Sequence, residues 1–248
     1  MNFNAFDNDD DDSGLNGVHV GIVTNNQDPD GMGRVKLSFP WRDADDESNW
    51  ARIATTMARD GQGTYFLPEV DDEVLVAFEG GDIHSPYVLG GLWSGNASPP
   101  VGDDADNDER KIVTRSGHGV LFNDSDDQAS VVIETAGGHT ITLDDGKESL
   151  SIVDSSGSNS ITFSDGEIDI AAQQKISLSA PEIDVSGDQG VSVSGAQISL
   201  DADGQGSFTS SGKMEVSSQG MLDVKATGMM TVQSSAILTI KGSLIQLN

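Results

Sequence analysis

Cysteine is absent from the 248 residues, which excludes a disulfide framework, a thiolate nucleophile and a thiolate metal site. Basic residues are scarce: 13 Lys and Arg stand against 41 Asp and Glu, a formal charge of -28. Phosphate-backbone binding needs Lys and Arg to release counterions, so this chain repels nucleic acid. Only four His occur, at positions 19, 84, 118 and 139, and no Ser/His/Asp set stands out from them. No apolar run approaches the roughly 18 residues of a membrane span. Residues 1–17 carry Asp7 and Asp9 to Asp12 with no basic segment, which is not the pattern of a secretory signal. The expectation is a product folded in the cytoplasm that leaves as part of a virion or extracellular particle.

The acid excess supports two readings. One is a strongly solvated surface. The other, which the scarcity of Lys and the spread of acids through every segment favour, is a halophilic source. There the Debye length shrinks to about 3 Å at 1 M salt and self-repulsion fades.

What is present falls into zones. Residues 1–17 read as an acidic flexible tail with little to bury. Residues 18–95 hold all three Trp and both Tyr. Alternating segments at Val18 to Val23, Arg34 to Phe39, Glu73 to Phe78 and Tyr87 to Leu92 are separated by turn signals such as Asp28-Pro29-Asp30-Gly31 and Gly80-Gly81-Asp82. Short strands without helical periodicity predict a small β-barrel. Residues 96–111 form a Pro- and Asp-rich linker, and residues 112–248 turn to Ser, Gly, Ile, Val and Thr.

An internal repeat dominates the last zone. Gly204, Gly212, Gly220, Gly228 and Ala236 lie eight apart; two residues after each come Gly206, Met214, Leu222, Met230 and Leu238, and two further on Phe208, Val216, Val224, Val232 and Ile240. Looser doublets precede them, from Val131/Ile133 to Ile198/Leu200, with Asp144-Asp145-Gly146 and Ser164-Asp165-Gly166 as turns. Residues i and i+2 of a strand share a face, so each unit is a short strand with two apolar side chains on one side and a corner. Two such side chains contribute roughly 3–6 kcal/mol. Ordering eight backbones costs on the order of 8–16 kcal/mol. A strand of this kind needs neighbours. A single-chain solenoid supplies them, and so do three chains wound as a triangular prism. The uninterrupted run favours the prism, with Leu222, Val224, Met230, Val232, Leu238 and Ile240 in its core. Sixteen or so strands at ~4.8 Å then give a rod about 70–75 Å long.

Several strings of the barrel zone, in order, are similar to a known domain. They are Val20-Gly21-Ile22-Val23, Asp28-Pro29, Gly33-Arg34-Val35-Lys36-Leu37, Phe39-Pro40-Trp41, Phe66-Leu67-Pro68-Glu69-Val70, Glu73 to Phe78 and Ser85 to Trp93. They resemble the OB domain of contractile-injection spike proteins, the VgrG and phage baseplate assembly protein V family. Gly138-His139-Thr140-Ile141-Thr142-Leu143 also looks like the opening of the VgrG β-helix. The resemblance implies an all-β homotrimer, an N-terminal OB-fold barrel followed by an intertwined triple-stranded β-helix. It implies a membrane-piercing baseplate spike seated on a separate hub protein. One departure is Asp71-Asp72, where the family usually has Gly before the acidic pair near Glu73. Some phage spikes end in an iron-binding His-x-His, which is missing here. The apolar end at Leu244, Ile245, Gln246, Leu247 and Asn248 implies a PAAR-like tip protein as cap. Arg34, Lys36, Arg52 and Arg59 are the candidates for docking on the hub, with ordinary ion pairs within the barrel as the simpler reading.

No enzymatic activity, cofactor or metal is expected. Asp169, Asp184, Glu215 and Asp223 recur at one per strand or fewer, without the pairing glycosidic chemistry requires. The other reading is a receptor-binding or polysaccharide-degrading tail spike, which needs a carbohydrate cleft.

Overall fold

A computed structural model describes residues 15–43, 46–102 and 106–246. The chain divides after Leu178 into two units. Fourteen strands and one 3-10 turn, Glu79–Gly81, make up the regular structure of the described residues, which contain no α-helix.

The barrel zone holds β1 (Val18–Asn25), β2 (Lys36–Ser38), β3 (Arg52–Ile53), β4 (Ala58–Arg59), β5 (Gln62–Gly63), β6 (Glu73–Phe78) and β7 (Pro86–Gly91). A curled five-stranded sheet of OB type runs in the order β2-β1-β6-β7-β3, with β4 and β5 forming a separate hairpin. Register shifts between Val23 and Asn25 and between Leu75 and Val76 mark the irregularities that let a short sheet curl. Period-two alternation explains the core. Val74, Val76 and Phe78 of β6 point inward and meet Val23, Val35, Leu37, Phe39, Ala51 and Val88, all buried. Gly21 is what allows β1 to pass over this core, since a Cβ there would lie 3.0 Å from Val76 Cγ2. Leu15, in the acidic tail by sequence, packs against the same core and donates its N–H to Gly81 O at 3.0 Å.

Seven further strands follow: β8 (Glu109–Val113), β9 (Gly119–Asn123), β10 (Ser130–Glu134), β11 (Thr140–Asp144), β12 (Ser149–Val153), β13 (Ser160–Ser164) and β14 (Glu167–Ala171). They form one antiparallel meander in chain order. This stretch differs from a prism in which every strand pairs with other chains, because its ladders close within one chain. The reason lies in the turns. Most doublets lie nine to eleven apart, and the pair seven apart, Ile161 and Ile168, is joined by Asp165-Gly166 with both residues at positive φ (52° and 78°), the geometry of a tight two-residue hairpin. Strand β8 also begins three residues inside the segment that reads as linker.

From residue 172 to 246 no strand ladder forms within the chain. The backbone instead bends at 203–204, 211–212, 219–220, 227–228, 235–236 and 243–244, in step with the octad. Side chains close several corners. Ser210, Ser218 and Ser234 hydroxyls accept the N–H of Gly212, Gly220 and Ala236 at 3.2–3.3 Å.

Candidate functional site

The register of the meander aligns its apolar residues into rows. Ile112, Val120, Ile133, Ile141, Ile152, Ile161 and Ile170 are successive cross-strand partners. A second row on the same face joins Arg110, Phe122, Val131, Leu143, Leu150, Phe163 and Ile168. The central row of the opposite face runs Lys111, Leu121, Val132, Thr142, Ser151, Thr162 and Asp169, apolar only at Leu121 and Val132, so this face is the more polar of the two. Yet the apolar face is uncovered: Ile152, Phe163 and Ile170 are 44%, 37% and 55% exposed. Thirteen apolar side chains in two adjacent rows exceed the few hundred Å² of contiguous apolar surface that soluble monomers leave open. A trough along the isoleucine row is lined also by His139, Ile176 and small residues.

The octad stretch carries the same signature. The predicted core residues Leu222, Met230 and Leu238 are 48–55% exposed, and Val224, Val232 and Ile240 are 63–71% exposed. The stretch therefore has two unmet needs, unpaired backbone groups and unburied apolar doublets. Both are met by the same event, addition of further strands alongside. At the end, Leu244 and Ile245 are exposed, Gln246 follows, and Leu247 and Asn248 lie outside the described residues.

The four cations proposed for docking are not alike. Arg34 donates to Asp28 through Nε (2.8 Å) and a terminal nitrogen (2.7 Å), and to Asp30. Lys36 is held by Glu47 and lies 5.6 Å from the Trp50 ring centre. Its bond, with one from Thr24, holds the Glu47 carboxyl below its ordinary range. Arg52 lies over the Tyr87 ring at 4.8 Å and donates to its hydroxyl, which in turn donates to Glu79 at 2.6 Å. Arg59, on the β4–β5 hairpin, is exposed and makes no ion pair among the described residues. Beside it runs a groove with Met32, Met57, Tyr65 and Phe66 exposed at its lining. Among the described residues no group of three or more His, Asp or Glu is placed to hold a metal ion. No helix there is long and apolar enough to cross a membrane.

The sequence signal for these rows is turn chemistry more than spacing: Asp165-Gly166, at positive φ, closes a hairpin between doublets only seven apart.

Barrel, apolar meander and unpaired octads define a class: an all-β chain that combines an OB domain with a surface built for self-assembly. Residues 19–93 match the type VI secretion system/phage-baseplate injector OB domain, and residues 130–196 match the phage baseplate V C-terminal trimerisation domain. Each segment takes in less than a third of the chain, and both mark it as similar to the VgrG and phage baseplate V proteins. Among curated relatives, the type VI secretion system spike protein VgrG3 of Vibrio cholerae is 30% identical over 100 residues, 38% of this chain and 10% of the relative. VgrG1a of Pseudomonas aeruginosa is 30% identical over 95 residues, 36% of this chain and 15% of the relative. The actin cross-linking toxin VgrG1 of Vibrio cholerae is 28% identical over 99 residues, 38% of this chain and 9% of the relative. This chain thus spans a small part of the length of these relatives.

Proposed function

We propose that this chain is the central spike of a contractile injection system or phage tail, acting as a homotrimer. One observation carries the reading: the two apolar rows of the meander are aligned on one face and uncovered in a single chain, with β10–β14 inside the segment 130–196 that matches a trimerisation domain, and the octad doublets beyond it are uncovered too. Three chains packed by these faces satisfy the octad backbone and bury the doublets. A rod paired in this way resists unfolding under thrust, and its task is mechanical, with no bond made or broken.

In this reading the OB domain seats the trimer on a baseplate hub. Arg59 and the neighbouring Tyr65 and Phe66 are its free contacts, since Arg34, Lys36 and Arg52 are engaged within the barrel. A PAAR-like protein caps the end at 244–248, and the target is a cell envelope. Assembly takes place in the cytoplasm, and the product leaves in a particle. The acid excess fits a source with molar salt, and retention of full stability at low KCl would remove that element.

Light scattering on a sizing column in about 2 M KCl, where surface charge is screened, tests the core of the reading. A mass three times 26.0 kDa that survives SDS without heating is expected. A compact monomer overturns it. Deletion of residues 243–248 is expected to abolish capture of a co-expressed cap protein, and unchanged capture discards the cap.

A further inference from the structure

At one end of the meander, three turns are built on one plan and stacked. In the first, Thr114 and His118 close a loop: Thr114 N–H donates to His118 O (2.8 Å), Gly117 N–H to Thr114 O (2.9 Å), and His118 N–H to Thr114 Oγ1 (3.1 Å). Thr135 and His139 repeat all three bonds at 3.0, 2.9 and 3.1 Å. Asp154 and Asn159 form the third, one residue longer, with Asp154 N–H donating to Asn159 O and Gly157 N–H to Asp154 O. Each has a glycine at positive φ, 89° at Gly117, 86° at Gly138 and 70° at Gly157. A Cβ on Gly117 would lie 3.7 Å from Ala136 Cβ, and one on Gly138 would lie 3.6 Å from Ser155 Cβ, so each turn rests on the next.

The closing residue of each turn also reaches forward. His118 Nδ1 accepts the N–H of Ala136 at 3.2 Å, His139 Nδ1 accepts that of Ser155 at 3.2 Å, and Asn159 Oδ1 accepts that of Gln173 at 3.0 Å. The three bonds are equivalent in place and differ in chemistry. An amide oxygen accepts at every pH. An imidazole nitrogen accepts only while unprotonated, because both ring nitrogens of the cation are donors. A backbone N–H facing a second N–H is an unsatisfied and repelled pair.

We propose that His118 and His139 are proton-sensitive joints that hold consecutive turns of the meander together in neutral form and release them in acid, with Asn159 as the acid-proof counterpart. The charged groups nearest the turns are Arg115 in the first, Asp154 in the third and Glu134 at the end of β10, with Lys111, Arg110 and Glu109 on β8, Asp144 on β11 and Glu167 and Asp169 on β14 along the strands. Arg115 is paired to Glu69 of the barrel at 3.1 Å, so the first joint sits where the meander is tied to the OB domain. Asp154 is occupied by bonds from Asn159, Ser156 and Ser158, which hold its carboxyl near 2 and make it a fixed charge in the third turn. Loss of both joints frees the turn that carries Arg115 while leaving the strand ladders in place.

The test is amide exchange followed by NMR on the full-length protein between about pH 7.5 and 5.5, which spans the ordinary imidazole range near 6.5. Corrected for intrinsic rates, protection at Ala136 and Ser155 is expected to fall about two- to tenfold with acidification, the factor one neutral hydrogen bond supports. Protection at Gln173 is expected to stay constant. Replacing both histidines, His118→Asn with His139→Asn, is expected to abolish the pH dependence at the first two sites. Equal behaviour of all three amides in the wild type overturns the proposal, as does a pH dependence that persists in the double variant. Should the double variant fail to fold, the imidazole 15N shifts of the wild type decide: Nδ1 carrying the proton at pH 7.5 refutes the acceptor role, and Nδ1 bare there supports it.

Discussion

The Asp28 carboxylate gathers a whole loop around Arg34. It accepts from Arg34 Nε and a terminal nitrogen at 2.8 and 2.7 Å, and also from the backbone N–H groups of Asp30, Met32 and Arg34 at 3.0–3.3 Å. The Arg34 bond comes first among the causes that hold this carboxyl far below its usual range, and Asp28 raises the Arg34 guanidinium in return. A carboxylate lowered by folding contributes stability that is complete above its unfolded value near 3.9 and is lost as pH falls toward the folded one. Asp28→Asn is therefore expected to lower the Tm of the barrel at neutral pH and to flatten its decline below about pH 4. Thermal scans across that range check it, and parallel acid limbs for wild type and variant would contradict the assignment.

Asp71 holds a left-handed backbone, φ 75°, in the turn that leads into β6. Its N–H donates to Val23 O at 2.9 Å, so the turn is pinned to β1 and cannot relax. A residue with a Cβ pays roughly 1–2 kcal/mol in this conformation, offset in part by the greater chain entropy of glycine. Asp71→Gly is expected to stabilise the barrel by about 0.5–1 kcal/mol, read from denaturant midpoints at unchanged slope. A destabilised variant would show that the Asp side chain contributes more than the turn costs.

Ile152 sits in the middle of the apolar row, between Ile141 and Ile161. Ile152→Lys is expected to leave strand content unchanged, because the ladder is made of backbone bonds, and to prevent formation of the trimer. Thr162→Lys, on the opposite face of β13, is expected to leave the solution mass at three chains. Equal loss of trimer from both would mean that the apolar face is not the assembling one.

The octad corners offer a gain-of-stability test. Ser218 Oγ accepts from Gly220 N–H at 3.2 Å and donates to Met221 O at 3.1 Å, while the corresponding corner before Gly228 has Ala226. Ser218→Ala is expected to cost about 0.5–1.5 kcal/mol per chain, and Ala226→Ser to recover a similar amount. Unfolding rates of the trimer in denaturant measure both. No response to either would place the corner bonds outside the energetics of the stalk.

Much of this was legible in the residues themselves. Alternation at Val74, Val76 and Phe78 points to a core-facing strand, and the Gly row at 204, 212, 220 and 228 marks the bends where the backbone turns. The cations were less legible. Arg34, Lys36 and Arg52 look equally available in sequence, but only folding brings Asp28, Glu47 and Tyr87 against them. The forward bonds of His118 and His139 were hidden for the same reason, since their partners lie 18 and 16 residues further on.

The sequence alone determined what is local or periodic: the strands, their turns, the repeat and the acidic surface. Those follow from side-chain alternation and backbone preference, which act over a few residues. Tertiary structure decided which strands find partners inside the chain. Turns before Ala171 hold residues at positive φ, such as Gly117, Gly138, Gly157 and Asp165-Gly166, and let each strand fold back on the last, whereas the octad corners after it hold none among the described residues. Their hydrogen-bonding groups and apolar doublets are left without strand partners inside the chain, because pairing depends on where the backbone can return.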